Sequence, residues 1–144
     1  MPQEPAGSSF NRALELHQLG RFDEALVICD RALALRPADP EAHYYRGNAL
    51  RGLGRPAEAL ASYDRALALR PAFAEALNNR GNALQSLDRL DEALASYDQS
   101  LALRPEHADT LNSRGAALQR LQRLDEALVS FDRALALRPG YAEA

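Results

Sequence analysis

One phrase, Ala-Leu-Ala-Leu-Arg-Pro, returns along this chain at a fixed interval. Pro37, Pro71, Pro105 and Pro139 stand 34 residues apart and close ALALRP, ALALRP, SLALRP and ALALRP. A period of that length makes the folding unit a single supersecondary element copied along an axis, stabilised by neighbours stacking on one another rather than by one globular core. Function is then expected on a repeated surface. The only β-branched residues are Val27, Ile28, Thr110 and Val129, so strands have little to be built from. Ala, Leu, Arg and Glu dominate instead, and these are strong helix formers, which predicts an all-α chain.

The unit from Pro40 to Phe73 shows how one copy folds. Asp39 caps a helix whose first residue is Pro40, where a missing N–H is harmless. Tyr44, Gly47, Leu50 and Leu53 fall at helical spacing, and Gly54 supplies the left-handed residue that ends the run. Pro56 and Glu58 start a second helix with a broad apolar face of Ala59, Leu60, Tyr63, Ala66, Leu67 and Leu69, until Arg70 and Pro71 stop it. The unit is a helical hairpin. Applied along the chain, this predicts first helices near 9–19, 40–52, 74–86 and 108–120 and second helices near 22–35, 56–69, 90–103 and 124–137. The divisions are 1–8 as a flexible N-terminal segment, repeats at 9–39, 40–73, 74–107 and 108–141, and 142–144 as the start of a truncated fifth unit. The turn residue is Gly20 or Gly54 in the first two repeats but Asp88 or Gln122 in the last two, so those two turns are expected to be less regular.

With these residues in view the chain resembles the tetratricopeptide repeat family, whose pattern is W-x2-L-G-x2-Y, then A-x3-F, then P. The second repeat matches as His43, Arg46, Gly47, Leu50, Ala59, Tyr63 and Pro71, and the third as Leu77, Arg80, Gly81, Leu84, Ala93, Tyr97 and Pro105. The fourth matches as Leu111, Arg114, Gly115, Leu118, Ala127, Phe131 and Pro139, while the first has Ser9 and Ala13 in the tryptophan and glycine places. The resemblance implies a right-handed α-solenoid of four helix-turn-helix repeats, an alpha-alpha superhelix. Gly47, Gly81 and Gly115, with Ala59, Ala93 and Ala127, are expected where the paired helices cross. Two columns depart from the pattern: Arg12, Arg46, Arg80 and Arg114 replace its Leu, and Asp30, Asp64, Asp98 and Asp132 recur in the second helices. Either they form an Arg–Asp ladder, or the acids sit in solvent beside Arg31, Arg65 and Arg133.

Catalytic chemistry finds no constellation. His17, His43 and His107 stand in different repeats without partners at metal-ligand spacing, and His43 takes an aromatic packing place, so neither metal nor cofactor is expected. Lys is absent, which excludes Schiff-base chemistry; all 17 basic residues are Arg, a bias expected of GC-rich bacterial coding. Cys29 aligns with Tyr63, Tyr97 and Phe131 and reads as a buried hydrophobe. The acid pairs Asp23–Glu24, Asp91–Glu92 and Asp125–Glu126 sit at helix starts, where the macrodipole explains them. A formal charge of −3, with Arg interleaved among acids, lacks a nucleic-acid footprint. With no signal segment and no apolar run of membrane length, the expected setting is cytoplasmic.

The resemblance implies that first helices line a concave surface where extended peptides or partner helices lie. Carried over by position, that surface holds Glu41, Tyr44, Tyr45, Asn48 and Arg51, then Glu75, Asn78, Asn79, Asn82 and Gln85, then Asp109, Asn112, Ser113 and Gln119. These columns vary while the packing columns repeat, as a specificity surface should. The amide-rich strip is similar to the asparagine-lined groove of arrays attached to protein O-glycosyltransferases, and amides suit paired hydrogen bonds to a peptide backbone. Co-chaperone arrays of the same family grip a C-terminal carboxylate pair through Lys, Asn and Arg. Asn48 and Asn79 match their asparagines, but Tyr44, Asp109 and Ser113 stand at the basic places, which argues against an acidic peptide terminus. The expected function is a non-catalytic protein–protein interaction scaffold with a protein or peptide ligand. Alternatives are the substrate-recruiting arm of a larger bacterial enzyme such as a glycosyltransferase, or a self-assembling structural unit. The final helix, with Leu124, Leu128, Val129, Phe131, Leu135 and Leu137, is expected to expose apolar surface, so the chain is either a fragment or self-associates through that helix.

Overall fold

The computed structural model describes residues 6–137, with side chains from residue 10 onward. Of the flexible segment expected at 1–8, residues 6–8 instead belong to the first helix, while residues 1–5 and the fifth unit expected at 142–144 lie outside the described residues. Among the described residues eight helices follow one another: α1 (Ala6–Gln18), α2 (Phe22–Leu35), α3 (Pro40–Gly52), α4 (Pro56–Leu69), α5 (Ala74–Ser86), α6 (Leu90–Leu103), α7 (Ala108–Arg120) and α8 (Leu124–Leu137). No strand occurs among the described residues. Seven helices fall where the spacing puts them, and α1 begins ahead of its predicted start at residue 9. The chain divides into two compact units, residues 1–76 and 77–144, with the boundary inside α5.

In the first unit, Asp39 caps α3 as expected, its Oδ1 accepting the amides of Glu41 at 3.0 Å and Ala42 at 3.3 Å. Gly47 is there because α3 crosses α4 at Tyr63: a Cβ at residue 47 would lie 2.6 Å from Tyr63 Cε1. Leu16, Ala25 and Ala49 form one core cluster, with Leu26 and Ile28 against it; Ala66, Phe73 and Ala76 form another, with Tyr44 and Leu67 against it. Cys29 is fully buried, and burial, with Asp30 adding to it against Arg46, pushes its thiol up to about 12. His43 is buried and its Nε2 lies 2.9 Å from the carbonyl oxygen of Pro37, tying α3 to the loop before it.

In the second unit Tyr97 lies against Gly81 and Phe131 against Gly115 in the same way. Ala108, Leu111 and Ala134 cluster with Leu101. His107 serves where Asp39 serves in the second repeat: its Nδ1 accepts the Thr110 amide at 3.3 Å and stands 2.6 Å from the Thr110 hydroxyl.

The turns correct an expectation. Asp88 and Gln122 adopt φ of 61° and 62°, beside 75° and 73° at Gly20 and Gly54. All four close identically: Arg21, Arg55, Arg89 and Arg123 donate their amides to the carbonyls of Leu16, Leu50, Leu84 and Leu118 at 2.8 to 2.9 Å. The turns are therefore equally regular, because the 6→1 hydrogen bond and the packing of both flanking helices outweigh a left-handed cost of about 1–2 kcal/mol. Asp88 is also held by Arg120, whose Nη2 donates to its Oδ1 at 2.6 Å.

Candidate functional site

Arginine rungs join successive second helices, and serine completes each of them. Arg46 donates from Nε to Asp30 Oδ1 at 2.8 Å and from Nη1 to Ser62 Oγ at 2.8 Å. Arg114 repeats this with Asp98 at 2.6 Å and Ser130 at 2.7 Å, and Arg80 donates to Ser96 at 2.6 Å. Arg46 and Arg114 thus each join the second helix of their own repeat to that of the repeat before, with acid and serine both 16 residues away. Where the sequence leaves ladder and solvated acid equally open, these rungs decide for the ladder. Arg12 differs, reaching Glu15 at 3.7 Å. A second set of pairs has no counterpart in the sequence reading: Arg21, Arg55, Arg89 and Arg123 each bridge the glutamate three residues on, at 2.6 to 2.7 Å.

On the first-helix surface of the first unit, aromatic rings form a continuous row. Phe10 stacks on Tyr45 at 5.3 Å between centroids, Tyr45 lies 5.1 Å from Tyr44, and Tyr44 lies 4.9 Å from Phe73 and 6.2 Å from Tyr63. The Arg70 guanidinium covers Phe73 at 4.8 Å. Tyr44 and Tyr45 stay half-buried. Burial first, then Tyr44, Glu41, Cys29 and Glu75, raises the Tyr45 phenol above its ordinary value, so it remains a neutral hydrogen-bonding group. Glu41 is engaged by Arg70 at 3.6 Å, and Glu75 is exposed at the start of α5. Arg51 has a buried Nη1 without a hydrogen-bond partner; its charge, after burial, lowers the pKa of His17, which keeps that imidazole neutral.

The amides sort into two groups. Tyr63 donates its hydroxyl to Asn48 Oδ1 at 2.6 Å, and the Tyr97 hydroxyl lies 2.7 Å from Asn82 Oδ1 and 2.9 Å from Gln85 Oε1. Asn48, Asn82 and Gln85 therefore hold the buried tyrosines in place. Asn78 is different. Its Nδ2 donates to Asn79 Oδ1 at 3.3 Å while its own Oδ1 is buried and unpartnered. Asn112, Asp109 and Gln119 are exposed on α7, and Ser113 is half-buried. The sequence carries the signal for this sorting: in the fourth repeat Phe131 replaces the tyrosine and Ala116 replaces its asparagine, so hydroxyl and amide come and go together.

Grooves also open beside the ladder. One of about 660 Å³ is lined by Asp30, Leu33, His43, Arg46, Arg65 and Leu69, and one of about 470 Å³ by Asp98, Leu101, Arg114, Glu126, Val129 and Arg133. No group of three or more His, Cys, Asp or Glu among the described residues is placed to hold a metal ion, and no described helix is long and apolar enough to cross a membrane.

Repeated hairpins with small residues at the crossing and a proline after the second helix define the class, an all-α fold of helix-turn-helix repeats of the solenoid type. Models of the TPR repeat match residues 13–54 and 47–88, a tetratricopeptide repeat model matches residues 72–140, and the chain belongs to the tetratricopeptide repeat family. A thermophilic TPR protein of Thermus thermophilus is similar at 28% identity over 92% of this chain and 74% of its own, with a TM-score of 0.84. MamA from Desulfovibrio magneticus RS-1 is similar at 26% identity over 95% and 77%, with a TM-score of 0.82. The first TPR of Spaghetti, solved bound to the HSP90 peptide SRMEEVD, is similar at 24% identity over 85% and 97%, with a TM-score of 0.77. No curated protein matches the sequence significantly. The fold is that of a protein-interaction scaffold.

Proposed function

We propose that the chain is a non-catalytic scaffold that binds an extended, non-acidic segment of a partner protein along its first helices. The observation that carries this reading is the buried, unpartnered carbonyl oxygen of Asn78. A buried acceptor left without a donor costs about 1–3 kcal/mol, and a backbone N–H laid along the helix relieves it. Asn79 beside it offers a further polar contact, and in the first unit the half-buried Tyr44–Tyr45 pair offers an aromatic one of its own. The Spaghetti domain supports peptide binding by this kind of fold. Its peptide carries Glu, Glu and Asp near the end, however, and here Tyr44, Asp109 and Ser113 stand where that mode of binding needs cations, so a different peptide chemistry follows.

A peptide array screened with the wild-type chain and with Asn78→Ala tests this. Peptides that bind wild type should lose about fivefold or more with Asn78→Ala, one hydrogen bond to a buried group. Unchanged binding by Asn78→Ala, with Tyr44→Ala equally silent, overturns the reading.

A further inference from the structure

The grooves beside Arg46 and beside Arg114 are equivalent places two repeats apart in sequence, so each is a control for the other. Asp30, Leu33, Arg46 and Arg65 line the first, and Asp98, Leu101, Arg114 and Arg133 stand at the same positions in the second. In both, the acid and the ladder arginine satisfy one another, Arg46 with Asp30 at 2.8 Å and Arg114 with Asp98 at 2.6 Å. The remaining arginine is where they part. Arg133 donates from Nη2 to the carbonyl oxygen of Pro105 at 3.5 Å, whereas Arg65 is exposed and makes no ion pair or hydrogen bond among the described residues. One substitution accounts for the difference. The carbonyl equivalent to that of Pro105 belongs to Pro37, and it is already taken by His43, whose Nε2 donates to it at 2.9 Å. In the fourth repeat the place of His43 is held by Leu111, fully buried and without a donor, which leaves Pro105 to Arg133. His43 thus frees a guanidinium on the wall of the first groove.

Charge separates the two grooves in the same sense. Among the acids and arginines that line them, the first carries one unbalanced positive charge and the second none, because Glu126 joins the second and no further acid joins the first. The rest of the first groove is apolar, walled by Leu33, Pro37, Ala38, Ala68 and Leu69, and its volume of about 660 Å³ is that of a small-molecule site. An extended peptide is a poor match for it. Pro37 has no N–H, its carbonyl is occupied, and the other walls belong to α2, α3 and α4, whose backbone groups bond within each helix. The amides of a peptide laid there would lose water without gaining partners. A single carboxylate on an aliphatic body needs only one cation and apolar contact, and those are the two things the groove leaves unused.

We infer that the first groove binds a small amphipathic carboxylate, an aliphatic monocarboxylic acid in its ionised form, with the carboxylate on Arg65 and the chain against Leu33, Ala68 and Leu69. The groove shares no residue with the Asn78 and Tyr44–Tyr45 surface, and either stands without the other. Titration of the 15N-labelled chain with octanoate, followed by amide shifts in two-dimensional NMR, tests this. Saturable shifts are expected at Leu33, Ala68 and Leu69. Arg65→Gln, which copies the Gln99 found at this position in the third repeat, should weaken binding about fivefold, and octanamide, with the same body and no charge, should bind about fivefold more weakly than octanoate. Butanoate, with fewer methylenes to bury, should bind about tenfold more weakly or worse. His43→Leu, which copies Leu111, should weaken octanoate about twofold by returning the Pro37 carbonyl to Arg65, and Arg133→Gln should change nothing. Absence of saturable shifts at these amides, octanoate binding Arg65→Gln as well as wild type, or octanamide binding as well as octanoate overturns the proposal. So does a helical peptide bearing leucine and glutamate that saturates the same amides where octanoate does not, which would give the groove to a partner protein. Unchanged affinity in His43→Leu overturns the part given to His43. The octanamide comparison uses the wild-type chain and so depends on no variant folding.

Discussion

Gly81 and Gly115 occupy the same column, and substituting each by alanine separates two contributions to the hairpin. A Cβ at residue 81 would lie 2.5, 2.7 and 2.9 Å from Tyr97 Cε1, Cδ1 and Cζ; at residue 115 it would lie 2.7, 2.8 and 2.9 Å from Phe131 Cε1, Cζ and Cδ1. Either ring must retreat by close to 1 Å, an overpacking cost of about 1–3 kcal/mol, offset by about 1 kcal/mol because alanine favours helix over glycine. The difference lies in how each ring is held. Tyr97 is fully buried and its hydroxyl is tied to Asn82 and Gln85, whereas Phe131 is half-buried and has no hydroxyl. Moving Tyr97 also strains or breaks its hydrogen bonding, worth about 1 kcal/mol more. Gly81→Ala should therefore destabilise by about 1–3 kcal/mol, and Gly115→Ala by about 1 kcal/mol less. Urea unfolding followed by circular dichroism at the helix band, fitted as a chain of coupled repeats, measures both. Equal losses, or a gain in stability from Gly81→Ala, would refute the argument that the hydroxyl anchors the ring.

Asn82→Ala alone should cost about 1 kcal/mol, while Asn82→Ala with Tyr97→Phe, which reproduces the Ala116–Phe131 pair, should be nearly neutral; a double-mutant cycle reads the coupling. Gln122→Gly should stabilise by about 1 kcal/mol because φ there is 62°, whereas Asp88→Gly should gain less because it gives up the Arg120 bridge; thermal unfolding ranks the two. Arg46→Ala, which removes contacts to both Asp30 and Ser62, should cost about 1 kcal/mol and lose part of that effect in high salt. Cys29 should resist thiol reagents until the chain unfolds. Its folded pKa, near 12, lies above the unfolded value of about 8.5, so the protonated thiol favours the fold and its contribution, full below that value, falls as pH rises from about 9 toward 12. A denaturation midpoint that does not decline over that range would contradict it.

The helices were legible because two independent signals agree in every repeat: apolar spacing within the helix, and proline, glycine or acid at its ends. Gln122 defeated the turn reading, since propensity is local while the 6→1 bond from Arg123 to Leu118 is imposed by both helices. The ladder acids could be seen as a column but not as bonded, because Asp30 and Arg46 meet only when one repeat lies on the next. His107 as a cap was invisible for another reason: histidine is not a usual capping residue, and its role depends on Thr110 three positions on.

The amide strip exposes the weaker step in reading a binding surface from a repeat. Columns that vary read as free for ligand, yet Asn48 and Asn82 vary because the residue they hold varies: Tyr63 and Tyr97 require an acceptor, and Phe131 does not. Variation along a column therefore has two physical sources, a changing partner inside the molecule and a changing partner outside it. They separate when positions 15 residues apart are compared repeat by repeat, since an internal pair changes together and an external contact has no reason to. By that criterion Asn48 and Asn82 leave the candidate site. Asn78, whose column reads Tyr44, Asn78 and Asn112 over second-helix residues Ala59, Ala93 and Ala127 that do not change, stays in it. The Asn78 oxygen, buried and still without a hydrogen-bond partner, is the acceptor in that column that the molecule itself leaves unsatisfied.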